Sequence, residues 1–303
     1  MVRYASEDKK FLALADRAFE RGDRKTALKY YLKAAEMGIV VAMVNCGCIY
    51  FEGEGVEEDI DEALNWFHKA AEYGDATAAN NIGYIYSSLD DYKEAVIWYE
   101  KAANLGDVVS MLNLSNLYRY KFYNKKKADY WLKKAESLND TESIRRVADY
   151  YYSSENIVKN HTDKAIDLYK KAISLGDTEA YKELGDLYFA IEDFVNAHNT
   201  YRDGANADNV DCMFELGTML IYAPNCFIPA QFWLKKAVLC GNKLAIKSLG
   251  ELYERHKDYP KAMRCYRKAI LNGVDASESL QKVKKLFRKS KPNYKLKLRT
   301  ITE

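Results

Sequence analysis

Ala27, Ala63, Ala95, Ala128, Ala165, Ala197, Ala230 and Ala262 stand 32 to 37 residues apart, and each opens a block of similar side chains three, four, six and seven positions later. A period of this length is that of a stacked helical array, in which each unit buries its apolar stripe only against its neighbours. At 303 residues a single globular core would be close to its upper size limit. An array adds one modest interface per repeat and meets no such ceiling. The expected fold is therefore an all-α solenoid of about eight antiparallel helix pairs, with a long surface and no built-in reaction centre.

One repeat shows why its residues recur. The first helix reads Ala78, Gly83, Tyr86, and the same phase returns as Ala42, Gly47, Tyr50, as Ala180, Gly185, Tyr188 and as Ala245, Gly250, Tyr253. Helix axes approach to roughly 8–10 Å, and a missing side chain at the second position lets another helix pass. The second helix reads Ala95, Trp98, Tyr99, Lys101, Ala102 and stops at Gly106-Asp107. Glycine fits just past a helix end, and the acid after it caps the next helix. All four tryptophans (Trp66, Trp98, Trp131, Trp233) fall three residues after the anchor alanine, followed by Phe67, Tyr99, Leu132 and Leu234. Aromatic residues at helical spacing read as packing against a neighbouring helix, in preference to a stacking platform for bases or sugars. Lys33, Lys69, Lys101, Lys134, Lys171, Lys236 and Lys268 form a row near the end of the second helix, where the carbonyl dipoles favour a cation. The sixth repeat departs with Asp203-Gly204 in place of Lys-Ala and Asp208 in place of Gly, and is expected to be the softest joint.

The residues Gly83, Tyr86, Ala95, Tyr99 and Ala102 resemble the tetratricopeptide repeat, and Trp98-Tyr99-x-Lys101-Ala102-Ala103 followed by Gly106-Asp107 is similar to its Sel-1-like subclass. The connector from Tyr50 to Asp59, with Gly53, Gly55 and Val56, looks like the Sel-1-like connector. The resemblance implies a right-handed superhelix of antiparallel helix pairs over residues 1–289, with repeats near 8–38, 39–74, 75–106, 107–139, 140–176, 177–208, 209–241 and 242–273 and a capping helix over 274–289. A basic tail, 290–303, follows.

It also implies a protein-binding scaffold or adaptor whose first helices line a concave face. Carried onto this chain, the concave positions are those three before and one and four after the small residue of each first helix. They read Asn80, Tyr84 and Ser87; Leu112, Asn116 and Arg119; Arg145, Asp149 and Tyr152; Lys182, Asp186 and Phe189; Phe214 and Thr218; Lys247, Glu251 and Glu254. Amides, charges of both signs and aromatics at these positions suit a peptide groove. They equally suit a solvated helix face. The set lacks the Lys/Asn clamp with which some tetratricopeptide domains hold C-terminal carboxylates.

Other chemistries have no signature. His68, His161, His198 and His256 lie in different repeats without metal-ligand spacing, and Cys46 and Cys48, two apart on a helix, point in different directions. No glycine-rich phosphate loop or nucleophile elbow occurs. The expectation is no catalysis, no cofactor, no metal and no small-molecule substrate. Six cysteines without repeat-locked pairing, and an N-terminus that is charged and helical in spacing rather than apolar, suit a cytoplasmic protein. Nine Lys or Arg and no acid lie between Lys282 and Arg299, and with Lys121 to Lys127 they raise a second possibility, nucleic acid or an anionic surface. An accessory subunit of an enzyme complex is a third.

Overall fold

The computed structural model describes residues 7–153 and 159–290. The basic tail beyond Ser290, and residues 154–158 of the long connector, lie outside that range. The chain divides into two compact units, Met1–Tyr150 and Tyr151–Glu303. The first carries α1 (Glu7–Glu20), α2 (Arg24–Glu36), α3 (Val40–Glu52), α4 (Ile60–Glu72), α5 (Ala76–Ser88), α6 (Tyr92–Asn104), α7 (Val108–Asn116), α8 (Lys125–Glu136) and most of α9 (Thr141–Ser153). The second carries α10 (Lys159–Ser174), α11 (Ala180–Ala190), α12 (Phe194–Asn206), α13 (Val210–Tyr222), α14 (Phe227–Leu239), α15 (Leu244–Arg255), α16 (Tyr259–Leu271) and α17 (Ser277–Ser290). Among the described residues there is no strand. From α1 to α8 and again from α10 to α17, each helix packs on the next in the chain, and in the second unit α11 also touches α13, and α13 touches α15. That is the connectivity of a helical repeat solenoid.

The caps follow the sequence closely. Asp75, Asp107, Asp140, Asn209 and Asn242 each accept a hydrogen bond from the backbone N–H three residues on, at 2.7, 2.7, 2.8, 2.8 and 3.0 Å, opening α5, α7, α9, α13 and α15. Asp23, Asp59, Asp91, Asn124, Asp193 and Asp258 do the same for second helices. The two kinds of corner close differently. Between repeats the left-handed residue is mostly glycine, as at Gly74 (φ 81°) and Gly106 (φ 97°). Within the third, sixth and eighth repeats it is Asp90, Glu192 and Lys257, at φ 60°, 62° and 60°, and within the first it is Gly22 at φ 77°. In both, the next backbone N–H bonds five residues back, as Asp75 to Ala70 and Asp91 to Tyr86.

In every second helix but α8, where Leu132 is half-buried, the residue after the tryptophan position is buried. Tyr99 is 2% exposed and Phe67, Tyr169, Tyr201, Leu234 and Tyr266 are buried with it. Five of them press on a bare glycine of the paired first helix, Tyr201 on Gly185 among them: a Cβ on Gly47 would lie 2.6 Å from Phe67, on Gly83 2.7 Å from Tyr99, on Gly217 2.7 Å from Leu234 and on Gly250 2.5 Å from Tyr266. This is why glycine recurs there. The indoles sit further out. Trp66 and Trp131 are buried, Trp98 and Trp233 only half-buried.

The lysine row has a role beyond the helix dipole. Lys69, Lys101, Lys134 and Lys236 lie over the rings of Trp66, Trp98, Trp131 and Trp233, one turn earlier, at 4.0, 3.5, 4.7 and 5.5 Å from the centroids. The ring quadrupole attracts the ammonium while the stem covers the indole from water. In the fourth repeat the first helix ends in a π-helical stretch, Leu117–Lys121. Ser115 and Ala128 are one residue further apart than Gly83 and Ala95, and a π turn absorbs the extra residue inside the helix. In the sixth repeat Gly204 is a contact point: a Cβ there would meet Cys212 Sγ at 2.5 Å and Tyr181 Cβ at 2.7 Å. Asp208 adopts φ 62° in the place of the corner glycine, and its carboxylate takes Lys236 at 2.8 Å. The unusual letters of this repeat therefore coincide with close packing at Gly204 and an ion pair at Asp208.

Candidate functional site

The surface of the first helices is where the sequence points, and its two units treat it differently. In the first, neighbouring first helices are tied together by amides. Asn80 Oδ1 accepts from Ser110 Oγ at 2.9 Å and from Asn113 Nδ2 at 3.4 Å. Asn81 Nδ2 donates to Cys48 Sγ at 3.8 Å, and Ser115 and Tyr150 share a hydroxyl contact of 3.1 Å. Asn80 thus holds the array together. Ser87 meets the buried Tyr99 hydroxyl, and Arg119 is engaged by Asp129 at 3.0 Å. Tyr84 is exposed and edges onto the Phe51 ring, 5.9 Å between centroids. Asn116 is exposed and Arg145 and Asp149 are half-buried.

In the second unit Tyr152 is exposed, and the equivalent surface between α11 and α13 opens into a pocket of about 430 Å³. Asp186 and Phe189 of α11, Tyr201 of α12, and Glu215, Thr218, Met219 and Tyr222 of α13 line it. Tyr201 reaches out from the core and donates to Asp186 Oδ1 at 2.6 Å, while Lys182 Nζ donates to Asp186 Oδ2 at 2.5 Å. Burial, then the Asp186 hydrogen bond, raise the Tyr201 hydroxyl pKa. The hydrogen bond to Asp186 raises Lys182. Burial and then the neighbouring Asp186 charge push the Glu215 carboxyl above its ordinary value, with Asp211 adding to the effect. At the rim, Phe189 is 49% and Tyr222 65% exposed.

A second pocket, about 480 Å³, lies between α13, α15, α16 and α17 and includes Glu251 and Glu254. Here the carboxylate is already served. Glu254 accepts from Tyr266 at 2.8 Å and pairs with Lys282 of α17 at 2.7 Å. Lys247, on the same helix, is half-buried.

The structure therefore brings Asp186, Phe189 and Thr218 to one cavity, with Lys182 paired to Asp186, and spreads most of the remaining candidates along other helices. Glu215, Met219 and Tyr222 were not among the expected positions. Their signal lay in reading two columns together: the residue two before the small one faces the residue one after it in the preceding repeat. Asn81 against Cys48 shows the rule, and Glu215 against Asp186 repeats it. Elsewhere among the described residues, no group of three or more His, Cys, Asp or Glu is placed to hold a metal ion, and no helix is long and apolar enough to cross a membrane.

Comparison with known proteins agrees with this architecture. The Sel1 repeat model matches residues 14–39, 40–75, 109–140, 141–177 and 247–274, and a tetratricopeptide repeat model matches 76–105. No curated protein matches the chain. Among solved structures, c5321, a protective antigen of uropathogenic Escherichia coli with an SLR fold, is 26% identical over 88% of this chain and 62% of its own, TM-score 0.42. A Sel1 repeat protein from Oxalobacter formigenes is 22% identical over 86% of this chain and 99% of its own, TM-score 0.44. Yeast Tom70 shares the fold, at 14% identity over 100% of this chain and 69% of its own, TM-score 0.58. With Sel1 matches over more than half of its length and the helix-on-helix packing those repeats require, the chain belongs to the Sel1 repeat family.

Proposed function

We propose that this chain is a non-enzymatic scaffold that binds an extended segment of another protein along the surface of its first helices. Repeat folds of this family typically mediate protein–protein interaction, which is the prior for the surface rather than for any one partner. The observation that carries it here is the pocket between α11 and α13, where exposed aromatic rims flank partly buried carboxylates. Such a mixture of apolar anchor sites and a few oriented polar groups is what recognition of a peptide side chain requires. The repeat domain is taken as residues 1–289 and the partner as a protein or peptide met in the cytoplasm.

The test is affinity capture with the full chain and with Phe189→Ala and Tyr222→Ala, both rim residues with exposed rings. Specific partners held by the parent chain should be lost from both variants at unchanged thermal melting. Retention of every partner by these two, and by Tyr84→Ala as well, would exclude the first-helix surface as the binding face.

A further inference from the structure

We infer that the pocket between α11 and α13 receives a cationic side chain, arginine or lysine, of the bound segment, its charge lying between Asp186 and Glu215 and its stem against Phe189 and Met219. This rests on the scaffold reading and names what that surface selects. Two consecutive first helices each deliver a carboxylate to one cavity, and Asp211 adds a third acidic charge beside Glu215. The cation on hand is Lys182, which is committed to Asp186. An apolar anchor seated there would strip water from carboxylates and give nothing in return, which is costly. A basic side chain supplies both the missing charge and an apolar stem.

The molecule offers two precedents for that occupant. In the neighbouring pocket the buried Tyr266 holds Glu254 as Tyr201 holds Asp186, and there a lysine from the next element, Lys282, completes the pair at 2.7 Å. Between α11 and α13 Lys182 plays that part for Asp186, while Glu215, which feels the Lys182 charge, makes no ion pair with a described residue. At the rim, Tyr222 already carries a guanidinium, that of Arg255, 5.0 Å from its centroid. A divalent cation is a poor alternative, since hard ions take six or more oxygens and no third ligand group joins the two carboxylates.

The experiment titrates the full chain into a fluorescein-labelled peptide, Gly-Ser-Leu-Arg-Leu-Ser-Gly, and into homologues with Lys, Gln or Glu at the central position, read by anisotropy. The Arg and Lys peptides should bind saturably, the Gln peptide about tenfold or more weakly, and the Glu peptide not at all. Glu215→Gln should remove most of that preference for charge. Asp186→Asn should do so too, with circular dichroism to confirm the fold, because Asp186 also holds Tyr201. Equal affinity for the Arg and Gln peptides, or no saturable binding of the Arg peptide up to about 1 mM, would overturn the proposal. Binding only to a chain truncated after Ser290 would overturn it too, in favour of the chain's own basic tail as occupant. Loss of charge preference with capture still dependent on Phe189 and Tyr222 sinks this inference alone. Intact Arg-peptide binding with capture indifferent to both rings sinks the scaffold reading instead.

Discussion

Cys48 with Asn81, and Asp186 with Glu215, occupy the same two columns of the repeat in different units, and only the first pair satisfies itself. An amide across from a thiol makes a weak hydrogen bond at 3.8 Å. In the second pair burial and then the facing Asp186 charge raise the pKa of Glu215, and both carboxylates line a cavity. The backbone device beneath is shared: Gly83 under Tyr99 in one unit, Gly185 under Tyr201 in the other. On the proposed reading, recognition rests on the few column positions that do not pair, on a frame that is otherwise repeated.

The frame can be broken in either unit with the largest effects. Tyr99→Ala and Tyr201→Ala should each cost about 3–5 kcal/mol in urea denaturation, through an aromatic-sized cavity. Trp98→Ala, at a half-buried ring, should cost clearly less than Tyr99→Ala, and an equal cost would show that the indole carries the core. Gly83→Ala and Gly217→Ala should each cost about 1–3 kcal/mol, because the new Cβ meets Tyr99 or Leu234 at 2.7 Å. Asn80→Ala, which removes the acceptor of two hydrogen bonds in the first unit, should lower stability by about 1 kcal/mol.

Glu215→Gln should behave in the opposite sense, and this sharpens the contrast most. Its folded pKa lies above the ordinary 4.5, so the fold favours the protonated carboxyl, and the stability this gives is full below pH 4.5 and lost as pH rises through the folded value. The variant should therefore melt higher than the parent at pH 7 and equal it near pH 4. A melting point unchanged or lowered at pH 7 would mean that the carboxylate is at ease where it sits. The smallest effect is chemical. Burial pushes the Cys46 and Cys212 thiols up to about 12, so both should resist iodoacetamide while the exposed Cys240 alkylates first, followed by mass spectrometry.

The fold was legible because its causes are local. The glycine, the aromatic and the capping acid each act within one helix pair, so a column of letters states the contact directly. The surface was legible only in part. Asp186 and Phe189 followed from their column, but Glu215 did not, because the residue facing a column belongs to the adjacent repeat and enters from a different phase. The lysine row was placed correctly at the helix end and its partner missed, since a ring one turn earlier competes with the carbonyl dipoles for the same ammonium. The π turn at Leu117–Lys121 was unreadable for another reason: one extra residue in a connector looks the same whether the loop or the helix absorbs it.

The corners inside repeats hold a reserve that engineering could draw on. Asp90, Glu192 and Lys257 sit in left-handed backbone that costs an ordinary residue about 1 kcal/mol, and none of the three lines the pocket between α11 and α13. Glycine at all three would harden the protein against heat while leaving its recognition chemistry as it is, so durability and selectivity can be tuned on separate letters of the same chain.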